Sequence, residues 1–344
     1  MVRTRIEAVG AYLPATEVST AELLAQLAVD SPIDLERVSG VRHRRRCAPD
    51  EDSFSVAAAA ARSALDNSRY DAADLDVIIS CSITRIRDGE FTVEPSFALM
   101  LRNELGAADA IHFDVSNACA GMLSGVLVLD RMIRAGIVKR GLVVSGEYIT
   151  PIADTAVREM SEKYDPQFAS LTVGDGAAAV VLDGDGTPDE GIDYIELNTS
   201  AAFAQLCLGM PSDRSSGIAL YTDNRAMHNE QRYLLWTTRQ QDFLKSRNST
   251  FADECYDYVI HHQFSAPAVE LINKIAEREF DATVPPGPAV LERYGNTAST
   301  SHFVVLHDAL KQQRITSGAK VLMVPAASGV VAGFLSVTLG DLQV

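Results

Sequence analysis

The order of strand-like and helix-like runs is written twice in this chain, and nothing else in the sequence constrains the fold as tightly. "DVIISCSI" (Asp76 to Ile83) is a short β-branched run suited to a buried strand. A helical stretch, "PSFALMLRNEL", follows, with Pro95 where a first-turn proline is tolerated. Then come "FDV", an apolar helix opening at Cys119, and the strands "GLVVSGE" and "GAAAVVLD". The second half repeats the order. "DYVIHHQF" is followed by the helix "SAPAVELINKIAEREF", with Ser265 as N-cap and Pro267 in its first turn. "YGNTASTSHFVVLHDAL", "KVLMVPA" and "AGFLSVTLG" complete it. Asp257 stands 181 residues after Asp76, and Leu322 stands 178 after Val144. Matching order and spacing indicate an internal duplication, with halves at 1–185 and 186–344. The α/β alternation predicts a layered sandwich.

Bulk properties narrow the function. With 344 residues, 47% of them hydrophobic, the chain can bury a sizeable core. A net charge of −16 argues against general affinity for nucleic acid or anionic membrane. The five cysteines are odd in number and form no CxxC pair, which predicts no metal site and no disulfide framework. The start, "MVRTRIEAVGAYLP", reads as a strand rather than a signal peptide. The longest apolar run, Ala118 to Leu129, is too short to span a bilayer. A soluble, cytoplasmic protein is expected.

Duplication has a chemical consequence. If the halves pack about a pseudo-two-fold axis, the helix starts near Cys119 and near Asn296 to Ser299 meet at the centre, beside the strand end carrying His262. A helix N-terminus has unpaired N–H groups and a partial positive charge. Both favour a thiolate and predict a Cys119 pKa lowered toward about 7 or below. The small neighbours Ala118, Ala120 and Gly121 leave room for a substrate. His262 can hold a proton or bond a thioester oxygen. Asn296 can donate two N–H bonds without ionising, which suits an oxyanion. Together they form an acyl-transfer site with a covalent thioester intermediate. Papain-like proteases use the same three residue types, but their signature around the cysteine is absent.

"DVSNACAGM", "HHQFSAPAVELIN", "YGNTAST" and "GDGAAAVVL" resemble the β-ketoacyl-acyl-carrier-protein synthase III group of the thiolase superfamily, along almost the whole chain. The resemblance implies a duplicated thiolase fold, a five-layer αβαβα sandwich, and a homodimer. It implies that Cys119 takes an acyl group from acyl-CoA or an acyl carrier protein, with no tightly bound cofactor. It assigns His262 and Asn296 to the enolate formed as a malonyl thioester loses CO2. It places the oxyanion hole at the backbone of Cys119 and, in the loop "AASGVVAG", of Ser328.

Several stretches depart from the family. "PIDLERVSGVRHRRR" lacks the tryptophan that brackets the CoA adenine; Trp236 is the one tryptophan in the chain. "HQAN" becomes "HQFS", with Gln263 after the histidine and Ser265 at the asparagine position. "SITRIRDGEFTVEPSF", with Glu94, is long, and "YITPIADTAVREMSEKYDPQFASLTV" is an insertion. These features resemble a specialised-metabolism branch. Arg42, Arg44, Arg45 and Arg46 form a basic cluster for docking a phosphopantetheine arm or an acidic carrier protein. Arg131, Arg134, Lys139 and Arg140 form a second candidate patch. Degradative thiolases need a further catalytic cysteine near the C-terminus, and none follows Cys255. Elongating synthases use a second histidine where this chain has Asn296. A hydroxymethylglutaryl-type glutamate is matched neither by Glu94 nor by Glu147. Acyl transfer to an alcohol or amine, and a non-catalytic partner subunit, remain open alternatives. Cys81, His112, His302 and His307 are read as structural. Alternation puts one of His261 and His262 toward the site and the other away. "GDGAA" is read as a tight turn at the site floor, and "GMLSG" as close packing around the nucleophile helix.

Overall fold

The repeat takes the form of two sheets, in a computed structural model that describes residues 2–27 and 34–344. The first sheet contains β1 (Arg5–Tyr12), β2 (Val77–Ser80), β3 (Ile111–Asp114), β4 (Arg140–Glu147) and β5 (Gly176–Asp183), in the order β1-β5-β4-β2-β3. The second contains β6 (Gly191–Thr199), β7 (Tyr258–His261), β8 (Lys320–Val324) and β9 (Val331–Thr338), in the order β6-β9-β8-β7. Pairs β2–β4 and β7–β8 are parallel, and pairs β1–β5 and β6–β9 are antiparallel. Each antiparallel pair has a register irregularity at the same place, between Ile6 and Ala8 and between Ile192 and Tyr194. General α/β packing does not demand a matched irregularity, so it supports duplication. One offset needs correcting. Cys81 N–H donates to Val144 O at 2.8 Å and His262 N–H to Val324 O at 3.0 Å. Val324, not Leu322, is therefore the counterpart of Val144.

Helices complete five layers. Helix α1 (Ser53–Asp66) and α2 (Phe97–Leu105) cover the outer face of the first sheet. The buried alanines Ala57, Ala60, Ala61 and Ala64 let α1 lie close on it. Helix α3 (Gly121–Arg134) and a second helix, Ser301–Lys311, share one apolar cluster between the sheets, with Leu123, Val126, Phe303 and Leu306 at its heart. Helix α4 (Thr150–Glu159) lies in the insertion that follows β4. Helices α5 (Glu230–Ser246) and α6 (Ala266–Phe280) cover the second sheet around Trp236, Ile272 and Phe334. With the Ser301–Lys311 helix as α7, this is the αβαβα sandwich that was expected.

The tight approach predicted for "GMLSG" is present. A Cβ on Gly125 would meet Cys81 Sγ at 2.6 Å and Val143 Cγ1 at 2.7 Å. The buried Asp130 carboxylate is held by Arg131 at 2.7 Å and Arg134 at 2.6 Å, and Arg134 also donates to Ile192 O. These two arginines tie α3 to the second sheet instead of forming a free patch. Among the described residues, no helix is long and apolar enough to cross a membrane.

Candidate active site

Two matching turns open the central helices. Ala118–Ala120 leads into α3 and Ala298–Thr300 into α7. Ala118 and Ala298 both have left-handed backbone, at φ 45° and 51°. Alanine there costs roughly 1–2 kcal/mol, so the surroundings must impose it. Cys119 and Ser299 are pseudo-symmetric partners, yet their side chains differ in fate. Cys119 is half-buried and lines a cavity of about 430 Å³. Ser299 is buried, bonds Ser145 Oγ at 2.7 Å and donates to Glu147. Glu147 also accepts from Ile83 N–H, Thr84 N–H and Thr84 Oγ1 at 2.8–3.1 Å. Burial holds its carboxyl above the usual range despite these donors.

His262, Asn296 and Ser328 line the same cavity. His262 follows the end of β7, and its ring stacks between Phe264 at 5.8 Å and His302 at 5.9 Å. Its Nδ1 is buried and has no partner among the described residues. Burial, reinforced by His302, pushes its pKa down to about 3, so the imidazole is neutral near pH 7. Asn296 is anchored through its backbone, donating to Thr172 O at 2.9 Å and accepting from Gly174 N–H at 3.0 Å. Its Oδ1 accepts from Ala298 N–H at 2.9 Å, which leaves the Nδ2 donors unspent. Among the described residues, neither Cys119 N–H nor Ser328 N–H has a hydrogen-bond partner. The Cys119 thiol itself is pushed up to about 12 by burial, with Cys207 and Glu147 adding to the rise. That corrects the expected lowering: apolar walls and acidic neighbours outweigh the helix terminus.

Models of two parts of one family match the chain. The 3-oxoacyl-[acyl-carrier-protein] synthase III model covers residues 113–201, and its C-terminal model covers residues 247–339. The chain belongs to the synthase III family. It is 29% identical to the β-ketoacyl-[acyl-carrier-protein] synthase III of Granulibacter bethesdensis, over 97% of this chain and 98% of that protein. The Geobacillus kaustophilus enzyme of the same name is 28% identical, over 96% and 97%. A structure of Xanthomonas campestris OleA with bound lauric acid and lauroyl-CoA superposes at a TM-score of 0.83, with 21% identity and coverage of 98% and 99%. The FabH synthase III of Pseudomonas aeruginosa PAO1 superposes at 0.81, with 22% identity and coverage of 99% and 100%. The fold is thus that of the thiolase superfamily, and the chain is a condensing enzyme of the synthase III type.

Within this synthase III chain, several expected contacts change. Arg44 is 2% exposed and donates to Leu171 O and to Thr20 Oγ1, so it is structural and cannot dock a carrier. The run His43–Arg46 is a strand paired with Thr16–Ser19, and that pairing carries Arg44 inward. Arg46 grips Asp154 through both oxygens, Arg45 pairs with Glu17 at 3.2 Å, and Arg42 pairs with Glu292 at 3.1 Å. Pro32 and Ile33 of the same stretch lie outside the described residues. Gln263 is spent internally: Oε1 accepts from Val290 and Leu291 N–H, and Nε2 donates to His261 O. It braces the loop before Asn296 and offers nothing to substrate. Ser265 caps α6 as expected and lies in the cavity wall. Glu94 is exposed and stands outside that wall. His261 and His262 both reach the cavity; His261 Nε2 bonds Asn273 Oδ1 at 2.7 Å.

The insertion after β4 supplies Ile152, Phe168, Ala169 and Val173 to the wall. Asp175 of "GDG" is buried and accepts from Cys47, Ile149 and Thr150 N–H at 2.8 Å, but Gly174 and Asp175 join the Val173 bridge to β5 without the tight turn expected there. Cys207 lies in the wall, as do Arg232, Tyr233 and Trp236 of α5. No motif marks them. Among the described residues, no cluster of three metal-ligating side chains occurs.

Proposed function

We propose that Cys119 accepts an acyl group from an acyl-CoA or acyl-carrier-protein thioester and that the acyl-enzyme is extended by decarboxylative Claisen condensation with a malonyl-type thioester. The supporting observation is the convergence of Cys119 from one repeat with His262, Asn296 and Ser328 from the other on one cavity. In the loading step, sulfur attacks the thioester carbonyl. The oxyanion is held by the free Cys119 and Ser328 amides. The C–S bond to the donor breaks, and the departing thiolate takes the proton that Cys119 gives up. In the second step, the malonyl carbonyl oxygen accepts from Asn296 Nδ2 and from the His262 ring N–H. Loss of CO2 leaves its electron pair in the enolate. The enolate carbon attacks the acyl carbonyl, the Cys119–acyl bond breaks, and the thiol is regenerated with a proton from solvent.

A neutral His262 suits this role, because it donates a hydrogen bond without placing a charge in an apolar cavity. By family resemblance the working unit is a homodimer. The test separates the two half-reactions. Asn296→Ala and His262→Ala should still acquire the Cys119 adduct, but lose CO2 release by about 10²–10⁴-fold. Undiminished decarboxylation in both variants contradicts the assignment. Transfer to an alcohol or amine would release no CO2.

A further inference from the structure

The catalytic cavity is lined by apolar, aromatic and neutral polar side chains, with one exception. Among the described residues, Arg232 is the one Asp, Glu, Lys or Arg in its wall. A lone cation there is notable in a chain of net charge −16. Arg232 is 7% exposed and makes no ion pair among the described residues. Its Nε and Nη2 both donate to Ala226 O at 3.1 Å. One face of the guanidinium lies over Phe203, 4.0 Å from the ring centre. Nη1 remains, buried and without a partner among the described residues. The nearby acid, Asp223, is occupied as the cap of the Asn224–Met227 turn, accepting from Ala226 N–H at 2.9 Å.

Burying a charge without a counter-ion costs several kcal/mol. Two half-exposed arginines of the chain, by contrast, have a carboxylate: Arg46 has Asp154 and Arg214 has Asp165. Among the described residues, Arg44 is the other deeply buried arginine and also lacks one, but it bonds Leu171 O and Thr20 Oγ1 and is not in the cavity wall. Arg232 thus combines an unspent donor, no direct ion pair among the described residues and a place in the wall of the cavity that holds the reacting groups. Guanidinium donors bind carboxylate and phosphate oxygens more strongly than neutral acceptors.

Resting on the acyl-transfer reading of the cavity, we propose that Arg232 is an anion-recognition point, binding through Nη1 a carboxylate or phosphate oxygen that the thioester substrate carries besides its reacting carbonyl. A carboxylate about to be lost as CO2 is not that group, because pairing it with a cation would stabilise the reactant. Two sources share the required chemistry: a carboxylate at the far end of the acyl chain, and the phosphate of a phosphopantetheine arm.

The test is a binding measurement on the Cys119→Ala chain, so it does not depend on acyl transfer. Three probes are titrated by calorimetry: octanoyl-pantetheine, octanoyl-4′-phosphopantetheine, and pantetheine carrying a chain of the same length that ends in a carboxylate. One anionic probe should bind about tenfold more tightly than the neutral one. That advantage should vanish in Arg232→Gln and persist in part in Arg232→Lys, with the neutral probe changing less than about twofold. The favoured anionic probe identifies the source. Equal binding of all three by the parent chain overturns the proposal even if Arg232→Gln fails to fold. An advantage retained in a folded Arg232→Gln overturns it too. Failure of the unmutated chain to load an acyl group on Cys119, with anion preference intact, would overturn the acyl-transfer reading instead.

Discussion

Two influences compete on the Cys119 sulfur. The amide dipoles of a helix start favour a thiolate by about 0.3–1 kcal/mol. Enclosure among apolar side chains works against it, and moving a thiol from 9 to about 12 corresponds to roughly 4 kcal/mol. Burial therefore wins in the unliganded chain. The expected consequence is that alkylation of Cys119 by iodoacetamide, followed by peptide mass spectrometry, is slow at neutral pH and keeps rising past about pH 9. A rate that levels off near pH 7 would mean the helix start prevails. At His262 the same enclosure acts with opposite sign on charge, holding the ring neutral down to about pH 3. Decarboxylation should accordingly show no inflection near 6.5 that disappears in His262→Asn.

At the scale of elements, the helix behind Cys119 carries a glycine where its pseudo-symmetric counterpart carries a valine. Gly125 in α3 corresponds to Val305 in α7, and both are buried. A methyl group at 125 must displace Cys81 Sγ and Val143. Gly125→Ala should cost about 1–3 kcal/mol, read as a lower urea midpoint with unchanged slope. An unchanged midpoint would show that α3 can shift without penalty. The sequence foretold this packing from the spacing of two glycines, and its motifs named Cys119, His262, Asn296 and Ser328, which the fold brings to one cavity. It could not foretell which arginine faces inward. "VRHRRR" looks like a surface patch as a string, but pairing of His43–Arg46 with Thr16–Ser19 buries Arg44. Arg232 is the converse: one arginine in a polar helix, made important by what surrounds it in three dimensions. The 178-residue offset failed for a related reason, because hydrophobic strands look alike when slid by two residues.

For the whole molecule, the two-sheet core encloses three histidines. Burial holds His261 and His302 at about 4 and His262 at about 3. Unfolded, each titrates near 6.5. Below that pH the unfolded chain binds protons that the folded chain refuses. Stability should therefore fall as pH drops from about 6.5, by roughly 2 kcal/mol per histidine at pH 5. Glu147 and Asp175, whose carboxyls burial raises, act in the opposite direction. His302→Asn isolates the histidine contribution: it should flatten the decline of Tm between about pH 7 and 5. An unaltered slope would mean that His302 is protonated in the folded state. The duplicated architecture was legible because both repeats keep strand order. The cavity was not, because its walls come from the insertion after β4, from α5 and from both central turns. In the proposed reaction this cavity makes and then consumes an acyl-cysteine. The most direct test is intact-protein mass spectrometry with a panel of acyl-CoAs and acyl-carrier proteins, beside Cys119→Ala. The expected result is an acyl mass gain that requires Cys119 and is discharged, with CO2 release, when a malonyl thioester is added. A gain that survives Cys119→Ala, or one that malonyl thioester leaves in place, would contradict it.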